Sequence, residues 1–257
     1  MAARRTRAGA RATGDIGLSG SGARTLTLAG TNTGANTLAS VLGDNGGATS
    51  LTKTGTGVWL VSGANTFTGT TTLTTGTLSA GNDSAFGTGT LSLNGGTLTA
   101  NATRTLSNDV TINANSTIGG SQAVTLDGAV TLTGSRTLTV SNSAGTTIAG
   151  VLGETGGAAS FTKAGTGTLV LAGTNTYTGQ TTISAGTLSV NSIANADGTA
   201  SALGAPTTAG DGTIRLGATT STGNLLYTGS GHSSDRAFEL TGTTGGGTIT
   251  HTGTGAL

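Results

Sequence analysis

The sequence predicts an all-β chain wound into an elongated parallel β-solenoid, and three observations lead to this prediction. The composition is rich in Thr and in Gly (48 of 257 residues), with one proline and only 8% charged residues. Short segments alternate strictly between polar and apolar residues, as in residues 25–28 (TLTL) and 137–140 (TLTV). A long internal repeat relates two parts of the chain. Together these features indicate many short strands with one buried face, separated by glycine-rich turns.

The scarcity of large apolar side chains restricts the architecture. Their burial alone cannot offset the conformational entropy lost when so Gly-rich a chain is ordered. A solenoid can offset the remaining entropy cost, because its strands pair regularly and its small side chains stack in register. No segment shows helical periodicity, so we expect no helix. The chain has no Cys, which excludes a disulfide framework and thiolate metal sites.

The N-terminal residues 1–16 are basic, and we expect them to form a disordered, solvated tail. Their four arginines are not followed by the apolar run of a secretory signal. Interleaved aromatic residues are also absent, and residues 13–257 carry 7 basic and 10 acidic residues. The sequence therefore predicts no nucleic-acid binding.

Residues 17–257 are predicted to form the solenoid, because long repeats run through them. Residues 41–81 and 151–191 align without gaps at an offset of 110, with 23 of 41 positions identical. Further on, residues 84–87 (SAFG) correspond to residues 201–204 (SALG). Strand patterns recur often enough for roughly seven windings of three strands, or up to eleven if some have two, so a strand spacing of ~4.8 Å predicts a rod on the order of 35–50 Å.

Residues 51–80 and 161–190 share the pattern L/F-T-K-x-G-T-G, N-T-F/Y-T-G and G-T-L-S at fixed spacing. This pattern resembles the autotransporter-associated β-strand repeat of passenger domains in type V secretion. The resemblance implies a right-handed parallel β-helix outside the cell or at its surface, with a structural or adhesive role and no enzymatic activity. It implies contact with a host cell, a neighbouring cell or extracellular matrix. It also implies a C-terminal β-barrel translocator in the full-length protein, so we expect this chain to be truncated at its C-terminus.

Neither catalytic residues, cofactor-binding residues nor metal ligands are predicted. Lys53 and Lys163, the only lysines, occupy matched repeat positions, and we expect solvated amines with stems along the sheet. The matched pairs Asn65 with Phe67 and Asn175 with Tyr177 are expected to satisfy turn backbone groups and to cover the end of a coil, although sugar binding by the rings is the functional alternative.

The alternation along each strand predicts which of the remaining side chains point inward and which point outward. It sends Leu169 and Leu171 inward and Val170 outward, and it places Trp59 inward or at a coil edge. Val58 and Leu60 would then form an outward apolar strip under a packed turn. The repeated glycines, such as Gly55, Gly57, Gly165 and Gly167, are predicted turn residues, since no phosphate-loop motif is present.

The sequence leaves two other functions open. A polysaccharide-processing β-helix enzyme would need clustered carboxylates, for which Asp109 and Asp127 are the only candidate pair. Residues 231–235 contain His, Ser and Asp, but adjacent residues cannot take up triad geometry. An ice-binding solenoid would need one flat Thr-x-Thr array, and the irregular spacing of segments such as 97–99 and 131–133 argues against it.

The ends of a solenoid expose unpaired strand edges whatever its function. We therefore predict that the chain associates with itself end to end.

Overall fold

The computed structural model describes residues 11–12, 16–34 and 36–257. Most of the predicted basic tail, residues 1–16, lies outside the described residues. The described chain contains 25 strands and one helical turn. The strands form three sheets, and all their pairings are parallel. The predicted parallel β-solenoid is confirmed, and its right-handed sense stays a prediction.

One sheet, here called the long sheet, runs through the whole described chain and has 11 strands. In spatial order these are β1 (Arg11–Ala12), β3 (Asn36–Leu38), β5 (Val58–Val61), β7 (Thr77–Ala80), β9 (Thr97–Ala100), β12 (Ser116–Ile118), β15 (Arg136–Val140), β18 (Phe161–Ala164), β20 (Thr181–Ile183), β22 (Ile214–Thr219) and β24 (Phe238–Gly242).

The other two sheets have 7 strands each and overlap only in the middle of the molecule. The N-terminal sheet contains β2 (Arg24–Leu28), β4 (Thr49–Lys53), β6 (Thr71–Leu73), β8 (Leu91–Leu93), β11 (Val110–Ile112), β14 (Val130–Leu132) and β17 (Leu152–Glu154). The C-terminal sheet contains β10 (Arg104–Leu106), β13 (Val124–Leu126), β16 (Thr146–Ile148), β19 (Thr168–Leu171), β21 (Gly186–Val190), β23 (Gly223–Tyr227) and β25 (Gly247–His251).

The windings therefore differ in construction along the solenoid. Central windings, from β8 to β19, visit all three sheets, whereas the windings before and after them have two strands and a loop on the third side. Because of this mixture, the number of strand patterns in the sequence does not fix the number of windings. The eleven strands of the long sheet at ~4.8 Å give a rod of roughly 50 Å.

The two copies of the repeat do not lie directly above one another. Lys53 ends β4 in the N-terminal sheet, but its counterpart Lys163 lies on β18 in the long sheet. Five windings separate β4 from β17, and the chain then advances by one further side to β18. Each strand of the second copy therefore lies one sheet further around the solenoid than its counterpart in the first copy.

The core is a column of stacked Leu, Ile and Val side chains inside the three sheets. Strand residues alternate between buried and partly exposed, as in β18 and β19. Leu169 and Leu171 are buried and Val170 is partly exposed, as predicted. The prediction that no helix is present is wrong at one place: Ala209–Gly212 form a single helical turn, because the Thr208 side chain caps the N–H of Asp211.

No helix in the described part of the chain has the length and hydropathy of a membrane span.

Candidate functional site

Lys53 lies inside the solenoid, at the turn between β4 and β5. Its amine donates hydrogen bonds to the carbonyls of Thr54 and Gly55, both at 2.7 Å, and to that of Thr75 in the next winding at 3.1 Å. The side chain is fully buried. The prediction of a solvated lysine is wrong, because the tight turn leaves carbonyls that need donors and an ammonium supplies three. Lys53 therefore joins two windings.

Lys163 repeats this arrangement in the second copy. Its amine donates to the carbonyls of Ala164, Gly165 and Ala185 at 3.1, 2.7 and 2.9 Å. Burial lowers the pKa of Lys163 to about 8. A lysine with such a pKa can serve as a nucleophile elsewhere, but here carbonyls occupy all three N–H directions and the side chain is fully buried. The geometry suits a structural link.

A glycine completes each lysine turn. Gly76 and Gly186 begin the G-T-L segments and adopt φ values of +71° and +67°, a conformation that disfavours side chains. A Cβ on Gly76 would overlap the carbonyls of Gly55 and Gly57 and approach the amine of Lys53. The K-x-G-T-G segment of one winding therefore packs directly against the G-T-L segment of the next.

The asparagines of the N-T-F/Y segment also link windings. Asn65 Oδ1 accepts from the N–H of Leu42 at 2.7 Å, and its Nδ2 donates to the carbonyl of Ala85 at 2.6 Å. Asn175 forms the same two bonds at 2.8 and 2.7 Å, and its partners are Leu152 and Ala202. These bonds confirm that the asparagines satisfy backbone groups. They also confirm the alignment of residues 84–87 with residues 201–204.

The aromatic rings lie deeper than the sequence suggested. Phe67 and Tyr177 are fully buried, so neither ring covers an open coil end or is accessible to a sugar. Gly87 and Gly204, at φ +67° and +77°, fit against these two rings, where a Cβ would clash. Burial raises the pKa of Tyr177 to about 12, and its hydroxyl pairs with that of Thr181 at 2.8 Å.

A matched acidic residue holds the long turn of each copy. Asp44 accepts from the N–H of Thr49 at 2.7 Å and from the hydroxyl of Thr68 at 2.7 Å. These hydrogen bonds, that of the Thr68 side chain first, lower the pKa of Asp44 below its usual value. Glu154 makes the equivalent bonds, and its partners are Ala159 and Thr178. The one sequence signal for this pair is that both residues lie at the same position of the aligned repeats.

Trp59 lies in an inward row of the long sheet, one of the two positions predicted for it. It pairs in register with buried Leu78, packs against the core and donates its indole N–H to the carbonyl of Ala29 at 2.9 Å. Val58 and Leu60 are partly buried.

The residues considered for catalysis make separate contacts. His232 Nδ1 lies 2.5 Å from Tyr227 Oη, whereas Ser234 and Asp235 bond to the backbone of residues 194–196. The Asp109 carboxylate accepts from the N–H of Ala129 at 3.0 Å. Within the described residues there is no group of three or more His, Cys, Asp or Glu side chains that could hold a metal ion.

Strand register reveals a hydroxyl column that chain spacing conceals. On the outer face of the N-terminal sheet, successive windings place one Thr or Ser directly beside the next. The column contains Thr27, Thr52, Thr72, Ser92, Thr111 and Thr131. Windings of unequal length make the same residues look irregular in the sequence.

These contacts define the class of protein: a parallel β-solenoid whose neighbouring windings are joined by repeated lysine, asparagine and glycine contacts. The family model described as passenger-associated-transport-repeat matches residues 51–80 and 161–190. The chain thus carries autotransporter passenger repeats, and the resemblance stated from the sequence is confirmed.

A curated relative extends this finding. Over 77 residues the chain is 47% identical to the adhesin BmaC autotransporter of Brucella suis biovar 1 (strain 1330). The match covers 29% of this chain and 2% of the relative, so the chain spans only a small part of that protein's length. No solved structure is significantly similar to the chain.

Proposed function

We propose that this chain is an adhesive segment of an autotransporter passenger, which extends from the bacterial surface and contacts a host cell, a neighbouring cell or extracellular matrix. One observation carries the proposal: the passenger repeats occur in a parallel solenoid, and 77 of its residues are 47% identical to a segment of an adhesin autotransporter. The linked windings suit this role, because a stack of paired strands keeps its shape while it holds a surface away from the cell.

The same observations support a role without turnover. Asp109, one of the two acidic residues considered for glycan cleavage, caps the N–H of Ala129, and both repeat lysines are buried links between windings. Incubation with neutral and acidic polysaccharides should therefore release no reducing ends. Cleavage that disappears in Asp109→Ala would contradict this part of the proposal.

Surface display tests the adhesive role. The chain should be joined to the translocator of an unrelated autotransporter and expressed in a non-adherent bacterium. We expect increased attachment to epithelial cells or to fibronectin- and collagen-coated surfaces, relative to the translocator displaying an unrelated passenger of the same length. Equal attachment by both strains, at equal surface amounts, would refute the adhesive role.

A further inference from the structure

A polar groove opens on the side of the solenoid where the C-terminal sheet begins. It lies between loops of two neighbouring windings and has a volume of about 200 Å³. Six residues line it: Asp83, Ser84, Gly87, Thr88, Ser107 and Asn108. Pockets for drug-sized ligands have roughly 300–1,000 Å³. This groove therefore has room for one small polar unit.

Asn108 gives the groove a fixed acceptor. Its side chain is only 4% exposed, and its Nδ2 donates to the carbonyls of Gly87 at 3.0 Å and Gly89 at 2.6 Å. These two bonds fix the amide, so Oδ1 faces away from both carbonyls. Among the described residues no donor pairs with Oδ1, and Asn108 lines the groove. Asn108 therefore offers an oriented acceptor at the wall of the groove.

Asp83 supplies a second oriented acceptor. Its carboxylate accepts from the N–H of Thr105 at 3.3 Å and lies 3.8 Å from the guanidinium of Arg104. The side chain is nevertheless 60% exposed. Ser84 adds an exposed hydroxyl that can donate and accept, whereas the Thr88 hydroxyl donates to the carbonyl of Phe67 at 3.4 Å and adds an acceptor.

This chemistry discriminates between a cation and a neutral polyol. Calcium takes about 6–8 oxygen ligands, commonly with several carboxylates. Here a single carboxylate lines the groove, and a guanidinium already lies beside it. A saccharide presents several O–H donors in a small volume without charge, which matches acceptors such as Asn108 Oδ1 and the Asp83 carboxylate.

The second repeat copy shows that the groove is not a necessary product of the fold. At the positions of Ser84 and Thr88 it has Ser201 and Ala205, and both are buried. There Arg236 lies in the solenoid and donates to the carbonyl of Leu203 at 2.7 Å. Arg236 thus binds the turn carbonyls of the second copy, where Asn108 binds those of the first.

We propose that this groove binds one saccharide unit of a surface glycan. The proposal rests on the adhesive function and specifies the class of ligand that it recognises. Asp83 and Asn108 accept hydrogen bonds from sugar hydroxyls, and Ser84, Thr88 and Ser107 complete the contacts.

The test is a titration of the ¹⁵N-labelled full chain, followed by amide chemical shifts. The probes are the methyl glycosides of glucose, galactose, mannose and N-acetylglucosamine. We expect at least one probe to shift the amides of Asp83, Ser84, Gly87, Thr88, Ser107 and Asn108 selectively. Loss of a charge-assisted hydrogen bond in Asp83→Asn should weaken that binding about tenfold.

A steric variant keeps the test independent of folding. Ser107→Trp adds bulk at an exposed loop position and should abolish the shifts, while Ser121→Trp at another exposed corner should leave them unchanged. Both variants should retain the amide spectrum of the remaining windings.

Three results would overturn the proposal: no selective shift with any glycoside, equal binding by Ser107→Trp, or groove shifts with calcium chloride but not with sugars. Surface display separates this proposal from adhesion in general. If the displayed Ser107→Trp variant still attaches normally, the groove is not the adhesive site although the adhesive role stands.

Discussion

At the scale of residues, the two buried lysines account for the stability of glycine-rich turns that have few apolar contacts of their own. Each ammonium satisfies three backbone carbonyls from two windings. Removing the amine leaves those carbonyls buried and without donors, which costs more than the bonds themselves contribute. The two lysines therefore stabilise the fold, although lysine side chains are usually solvent-exposed.

Lys163→Met should lower the free energy of unfolding by about 2–4 kcal/mol, because three buried carbonyls lose their donor. Urea unfolding followed by circular dichroism measures the change. Arg215→Met, which removes an exposed pair with Glu239, should cost less than about 1 kcal/mol. Equal effects of the two variants would show that the lysine link contributes little.

Asp44 makes the stability of the fold depend on pH in the acidic range. Its pKa is lowered by hydrogen bonds in the folded state, so the unfolded chain binds the proton more readily. The stability from Asp44 is present above the unfolded pKa, near 3.8, and is lost as pH falls through the lower folded value.

The comparison is between the wild type and Asp44→Asn in thermal unfolding from pH 3 to pH 7. The wild type should be more stable at neutral pH, and the difference should shrink below pH ~4. Asp127→Asn, an exposed corner substitution, serves as the control. A difference that grows on acidification would contradict the role given to Asp44.

At the scale of elements, glycines at winding contacts set how closely the turns stack. Gly76→Ala should destabilise the chain by at least ~2 kcal/mol, because its Cβ meets two carbonyls in addition to the strain of positive φ. Gly156→Ala is a matched control: φ is +84°, but nothing lies within 4 Å of an added Cβ. Its free energy of unfolding should fall by only ~1 kcal/mol, because a side chain at positive φ strains the backbone. Thermal unfolding of both variants should separate these costs, and equal losses would show that the close approach is unimportant.

Strands and their inward residues were predictable because two-residue alternation directly reports one buried face. The inward position of Leu169 and the repeat alignment at residues 84–87 needed no other information. Lys53 and Lys163 could not be placed correctly, since an inward alternation position conflicts with the usual cost of burying a charge. Only the positions of the turn carbonyls resolve that conflict, and these depend on the neighbouring winding.

The groove at Asn108 also could not be predicted from the sequence. Its lining comes from two windings whose loops differ in length, so the residues that meet there are not at a constant spacing. The contrast between Thr88 and Ala205 at aligned positions is a visible signal, but its meaning depends on where Arg236 packs.

At the scale of the whole molecule, the last windings of the solenoid differ from its middle. The outermost strands β24 and β25 carry exposed apolar residues in the inward rows, where Phe238 is 43%, Leu240 66% and Ile249 46% exposed. Each earlier winding buries such residues under the next. An unpaired strand edge beside exposed apolar side chains favours association.

Sedimentation velocity at increasing concentration should therefore show self-association of the isolated chain. Ile249→Lys should weaken it, because a charge would enter the contact, whereas Thr248→Lys on the same strand points outward and should have little effect. A monomer at every concentration, or equal loss in both variants, would exclude association through this end.

Successive windings lie parallel and in a fixed register, and disulfide formation can probe this arrangement because the natural chain has no Cys. Thr105 and Thr125 are register partners on β10 and β13. Neighbouring strands are ~4.8 Å apart, within the ~4.4–6.8 Å that a disulfide requires between Cα atoms. Mild oxidation should close the bond in Thr105→Cys/Thr125→Cys, with β-type circular dichroism unchanged, and should leave Thr105→Cys/Asp127→Cys reduced. Preferential closure of the shifted pair, or of neither pair, would contradict the parallel solenoid.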